Sequence, residues 1–195
     1  MSKGEATRKR VLEQALALAS TLGFEGLSIG GLAKATDMSK SGLFAHFDSK
    51  EDLQIKALEH ASESFVTHVI LPALREPRGE PRVRALFDRW LTWGDRDAVP
   101  GGCPFIAAAY ELDDRPGRLR DELVASQRDW VGTIGTAAKI AVEEGHFRSD
   151  LDTEQFAYEL YGSFLAYHLY HRLLGDPRAT IRVREAFERL IRSAK

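Results

Sequence analysis

Apolar side chains recur along this chain at intervals of three and four residues, and no segment sustains the alternation of apolar and polar positions that a half-buried strand requires. That rhythm restricts the chain to an all-α fold. The first helix is predicted over about residues 5–22, with Val11, Ala15, Leu18 and Leu22 on one face, Leu12, Leu16 and Ala19 beside them, and Gly23 as its stop. Ser28 is placed to cap a short second helix over 29–36 that turns Leu32 and Ala33 inward. After Asp37 and Met38, Ser39 is placed to cap a third, over 40 to about 46, with Leu43 inward and Phe47 at its end. The run Ser49-Lys50-Glu51-Asp52 has capping-box spacing and opens a longer fourth helix through Leu58, Ala61, Phe65 and Val69, which Pro72 should kink or end.

Further helices are expected at about 82–95, 104–112, 117–144, 153–174 and 177–193. Asp152 with Gln155 is a cap signal, Gly145 and Gly175 sit where helices stop, and Pro177 suits a helix start. The polar stretch 75–81 reads as a loop, and the domain boundary is placed near residue 55, giving domains 1–55 and 56–195.

With 195 residues, 44% apolar and 29% charged, the chain has the material for a packed core and is not a disordered or low-complexity sequence. No run approaches the roughly 18 apolar residues of a membrane span, and the start lacks the apolar region of a signal peptide, so a cytoplasmic protein without membrane partners is expected. The single cysteine, Cys103, leaves neither an internal disulfide nor a four-cysteine zinc site.

The net charge of -2 does not announce a nucleic-acid binder. Its distribution says more. Residues 1–50 hold seven Lys and Arg against five Asp and Glu, leaving 20 against 24 for the rest. Lys3, Arg8, Lys9 and Arg10 are either a solvated helix start or an arm for phosphate.

Two short helices joined at Asp37 and Met38, behind a longer supporting helix, form the pattern of a helix-turn-helix. A helix that enters the major groove needs small or polar outward residues, which Ser39, Lys40, Ser41, Gly42 and Ala45 supply. Leu43 and Phe47 hold its other side to a core of Leu16, Leu32 and Leu53. Lys50, at a helix amino terminus, joins its charge to free N–H groups as an anion site. A plain three-helix bundle would have no reason to expose Ser-Lys-Ser-Gly on a helix, where Gly costs about 1 kcal/mol relative to Ala.

The segment SIGGLAKATDMSKSGLFAHFDSKEDL resembles the DNA-binding signature of the tetracycline-repressor (TetR) family, T-x-x-x-I-A-x-x-A-G-V-S-x-G-x-L-Y-x-H-F-x-x-K-x-x-L. The resemblance implies that Ser28 caps and binds phosphate, that Lys40 to Gly42 are the base-facing start of the recognition helix, that Ala45 faces the groove, and that His46 and Lys50 anchor the DNA backbone. Among the departures from the signature, three bear on its function. Asp37 replaces the turn glycine, Ser41 replaces the recognition-helix glycine with Gly42 following, and Phe44 replaces a phosphate-binding tyrosine, so it can pack against the DNA backbone without donating a hydrogen bond.

For the remainder, the resemblance implies a helical domain that binds a small molecule and pairs its last two helices with a second subunit. Trp90, Trp93, Phe105, Tyr110, Trp130, Phe164, Tyr167 and His168 are candidate ligand-lining residues, with plain core packing as the competing reading. Tyr161, Leu165, Leu169, Val183, Phe187 and Leu190 are the candidate dimer contacts. Cys103, at a helix start before Pro104, is either a buried apolar thiol or an activated one. His168 and His171 lack a third metal ligand by spacing, and Glu111, Asp113 and Asp114 read as a charged helix end. No nucleophile motif, phosphate loop, metal cluster or cofactor motif points to an enzyme. The expectation is a homodimeric regulator that binds double-stranded DNA at a near-palindromic operator and answers to a small-molecule effector; the alternative is a helical ligand-binding or adaptor dimer without DNA binding.

Overall fold

The computed structural model describes residues 3–195, the side chain of Lys3 excepted, so that lysine's part in the basic cluster lies outside the described residues. The order is α1 (Lys3–Gly26), α2 (Ile29–Thr36), α3 (Lys40–Phe44), α4 (Lys50–Phe65), a π-helical turn (Val66–Ile70), α5 (Leu71–Leu74), α6 (Glu80–Trp93), α7 (Pro104–Leu112), α8 (Arg118–Glu143), α9 (Thr153–His168), a second π-helical turn (Leu169–Leu173) and α10 (Ala179–Ala194). There is no strand among the described residues, as the periodicity requires. No helix among them is long and apolar enough to cross a membrane.

Local chemistry sets most boundaries. Gly23 leaves helical geometry at φ 75° and ψ 166°, so α1 kinks there, and one short helical turn follows before Leu27. Pro72 has no N–H to offer the carbonyl four residues back and its ring crowds that carbonyl; the ladder widens to the π turn just before it. Gly145, at φ 69°, closes α8: His146 N–H reaches the Ala141 carbonyl at 2.9 Å and Gly145 N–H the Val142 carbonyl at 2.9 Å, the paired bonds of a Schellman stop. Asp152 caps α9, accepting from Glu154 N at 3.0 Å and Gln155 N at 2.9 Å.

Toward the carboxyl end, two expected boundaries move. Regular α-helix in the penultimate segment stops at His168 rather than running to 174, and the chain continues as a π turn ending before Gly175 at φ 60°. Pro177 does not begin the last helix. It occupies the second position of a β-turn closed by Ala179 N to the Asp176 carbonyl at 3.0 Å, and Arg178, with φ -97° and ψ 3°, has the third-position geometry of a type I turn.

Packing divides the chain into two compact units: the described residues up to Val66 with Thr92–Ser126, and Thr67–Leu91 with Gln127–Lys195. In the first, Leu16, Leu32, Leu43, Phe47 and Leu53 are all buried, which fastens α2 and α3 to α1 and α4. Phe65 meets the Trp93 ring edge-on at 5.3 Å and Phe105 at 5.7 Å. In the second, Phe164 stacks on Trp90 at 3.9 Å and Phe187 on Phe87 at 3.9 Å, and Arg84 bridges α6 to α10 through Glu188.

Candidate nucleic-acid interface

Three caps and one left-handed residue build the helix-turn-helix. Ser28 Oγ accepts from Gly31 N at 3.1 Å and starts α2. Asp37 ends it in the left-handed region, φ 53° and ψ 40°, a conformation that its short polar side chain tolerates better than most. Ser39 Oγ then accepts from Gly42 N at 3.0 Å and starts α3, with Ser41 Oγ a further 3.0 Å from it. Ser49 starts α4 by accepting from Asp52 N at 3.0 Å, while Asp52 reaches back to Asp48 N at 3.0 Å, one residue earlier than a capping box would place it. Burial would raise the Asp52 pKa, but its bonds to Lys56 and Asp48 N–H prevail and hold it below the ordinary value.

With Leu43 and Phe47 inward, α3 turns Ser39, Lys40, Ser41, Phe44 and Ala45 to solvent. Phe44 is 54% exposed, an apolar ring on the face expected to meet DNA. The helix is shorter than expected: Ala45 is its cap, and the half-buried His46 follows it, with His46 N and Phe47 N both bonding back to the Leu43 carbonyl. The Lys40 stem lies along α2, its Cε 3.5 Å from where a side chain would begin on Gly30. A residue at position 30 with a long side chain would contend with Lys40 for that space.

Lys50, at the amino end of α4, is exposed and also reaches back to α1. Its ammonium donates to the Glu25 carbonyl at 2.7 Å and lies 3.4 Å from the Glu25 carboxylate, so it is shared between α1 and solvent. Sequence reasoning also missed what holds Glu25. Glu111, expected only as part of a charged helix end, accepts from Phe24 N at 2.8 Å and Glu25 N at 2.7 Å. A partner 86 residues away leaves no local signal; only the helix stop at Gly23, which frees those N–H groups, points toward one.

The residues grouped as ligand-lining fall into both units. Trp93 and Phe105 are buried in the first, while Tyr110, also there, is 71% exposed and encloses nothing within its unit. Trp90, Trp130, Phe164 and Tyr167 are buried in the second, where the rings of Trp90 and Trp130 both stack with that of Phe164, at 3.9 and 6.2 Å. Burial, with Arg172 and His171 adding to it, lowers the pKa of the adjoining His168 and favours its neutral form.

Among the expected dimer contacts, Val183 and Phe187 are buried in their own unit, Phe187 against Phe87. Leu169 is exposed, Leu165 and Leu190 are half-buried, and the half-buried Tyr161 donates its hydroxyl to Gln127. Tyr158, Tyr170, Leu173, Leu174 and Ile181 are large apolar residues exposed in the same carboxy-terminal segment and absent from the expectation. Cys103 is buried, and desolvation pushes its pKa up to about 11 against the lowering by N–H groups of Phe105 and Ile106 and by Trp93. The helix start does not activate it.

A short helix offering polar residues to solvent, held by a capped turn on a buried core, defines a helix-turn-helix protein. Residues 11–56 match the family model of the bacterial regulatory proteins, tetR family, and residues 79–187, more than half the chain, match that of the tetracyclin repressor-like C-terminal domain. The chain belongs to the tetR family of bacterial regulators. It is 29% identical over 141 residues to the HTH-type transcriptional repressor KstR of Rhodococcus jostii, covering 69% of this chain and 65% of that protein. Over 63 residues, 32% of this chain and 34% of the relative, it is 24% identical to the biofilm operon icaADBC HTH-type negative transcriptional regulator IcaR of Staphylococcus epidermidis. The chain thus spans less than two thirds of the length of either curated relative. A TetR transcriptional regulator from Chloroflexus aurantiacus has the same fold, with a TM-score of 0.86 over 98% of this chain and 95% of that one at 29% identity.

Proposed function

We propose that this chain is a ligand-responsive transcriptional repressor that binds a near-palindromic DNA operator as a homodimer, and that it is not an enzyme. The observation that carries the reading is the exposed Ser39-Lys40-Ser41 edge of α3, fastened from behind by Leu43 and Phe47. Family membership and the repressor relatives support it. Ser28, Ser39, Lys40, Ser41, Gly42, Phe44, Ala45, His46 and Lys50 form the proposed DNA-contacting set, within residues 1–55. Residues 56–195 form the proposed ligand-binding and dimerisation domain, and the cytoplasm is the proposed location. Two copies set the recognition helices about one DNA turn, roughly 34 Å, apart. An effector that prefers a different spacing releases the operator by differential affinity for the two states.

The test begins with selection from random duplex DNA by the full-length protein, followed by affinity against salt for the enriched site. A two-fold symmetric site with steep salt dependence is expected. Lys50→Ala should weaken binding to every sequence and lower the salt slope by about 1. Lys40→Ala should in addition change discrimination among sequences. Folded dimer that enriches no sequence would favour a ligand-binding or adaptor dimer instead, a reading to which Phe44, lacking a phosphate-binding hydroxyl, lends itself.

A further inference from the structure

The kink in α1 exposes a problem that α7 solves. Past Gly23 the helical ladder is broken, so the N–H groups of Phe24 and Glu25 have no carbonyl four residues back, and the Phe24 ring is buried beside them. The Glu111 carboxylate takes both, Oε2 from Phe24 N at 2.8 Å and Oε1 from Glu25 N at 2.7 Å, a two-point bond from a charged acceptor. Gly23 is required twice over: its φ is positive, and a side chain there would begin 2.7 Å from one Glu111 oxygen and 2.9 Å from the other.

The same backbone is held from the opposite side by α4. The peptide that offers its N–H from Glu25 to Glu111 offers its carbonyl, on Phe24, to Gln54 Nε2 at 2.6 Å, and this contact is buried. An amide engaged at both ends polarises, so each bond strengthens the other. The next carbonyl, that of Glu25, receives the Lys50 ammonium at 2.7 Å. Three residues after Glu25 comes Ser28, which caps α2. Arg115, just beyond α7, lies 3.7 Å from the Glu25 carboxylate that also attends Lys50. The approach to α7 is docked on α1 as well, since Gly101 N donates to Ser20 Oγ at 3.0 Å.

We propose that Glu111 is a positioning residue for DNA binding: from α7 it fixes the 24–25 backbone, whose carbonyls in turn fix Gln54 and the Lys50 ammonium. The proposal rests on the reading of Lys50 as a phosphate anchor. Without the carboxylate, Phe24 and Glu25 N–H seek water, the Glu25 carbonyl loses its set direction, and Lys50 loses the mooring that places its charge.

The probe is the duplex enriched by the wild-type protein from random DNA, with full-length variants compared for affinity at fixed salt. Glu111→Gln keeps the shape, but its amide turns an NH₂ toward one of the two N–H groups; Glu111→Asp keeps the charge and falls a methylene short, which supplies a second variant should the first fold poorly. Asp114→Asn removes a charge from the same end of α7 without touching the kink and is expected to bind as wild type. For the folded Glu111 variants we expect faster amide exchange at Phe24 and Glu25 and about tenfold weaker operator binding, equivalent to about 1.4 kcal/mol. In a double-mutant cycle with Lys50→Ala the two losses should fall short of additive, because Glu111 acts through Lys50. Wild-type affinity in a variant whose Phe24 and Glu25 amides exchange fast overturns the proposal, and so does strict additivity, which would make Glu111 a folding residue only. If Lys50→Ala itself binds normally, the Lys50 assignment falls first and takes this route with it, while a normal Glu111 variant beside a weakened Lys50→Ala refutes the route alone.

Discussion

Cys103 shows how one residue's chemistry is settled by competing local fields. It stands at the amino end of α7, where N–H groups favour a thiolate, yet it is buried and the loss of water outweighs them, so the group stays protonated at neutral pH. The native protein should therefore react with a thiol reagent such as DTNB at pH 8 far more slowly than the denatured chain; labelling at the rate of a free thiol in folded protein would show the burial to be wrong. Glu111 reverses the comparison. As an acid near a helix end it has no distinctive setting in the sequence, but in the fold it is the acceptor for two amides that nothing in their own helix can satisfy.

Among the elements, the turn between α2 and α3 is the most exacting, because it orients everything on the exposed face of α3. Its conformation hinges on Asp37 at φ 53°. Replacing Asp37 by Val should lower stability by about 1–2 kcal/mol, the penalty for a branched residue in the left-handed region, while Asp37→Gly should leave stability near wild type or raise it. Urea denaturation of the two variants measures this, and equal stabilities would mean the turn adapts. The caps at Ser28, Ser39, Ser49 and Asp152 were all legible because a cap is a contact over two or three residues. The role of Pro177 was not, because a proline before a helix serves a β-turn as well as a first helical turn, and the bond from Ala179 to Asp176 decides between them.

For the whole molecule, the proposed homodimer needs an exposed apolar face. Along α9 and the π turn beyond it, Tyr158, Leu169 and Leu173 are 73%, 45% and 76% exposed, at a spacing that places them along one side, and Gly162 among them offers a flat point of approach. Leu169→Glu should leave the chain folded but reduce its mass by light scattering at micromolar concentration from twice 21.8 kDa to 21.8 kDa. Val183→Glu should instead unfold the second unit, since that side chain is interior. A dimer persisting in Leu169→Glu would place the contact elsewhere.

By itself the sequence determined the helices, the caps, the left-handed turn and the inward and outward sides of α3, since each follows from periodicity or from hydrogen bonds that close within one helical turn. Only the tertiary structure decided which of the remaining apolar residues are interior and which polar residues grip distant backbone. Val183 and Tyr110 look alike as candidates for a contact until packing buries the first and leaves the second in solvent. Glu111 and Lys50 both meet Glu25 of α1, from helices far apart in the chain, and no period or local motif encodes a contact made at that separation.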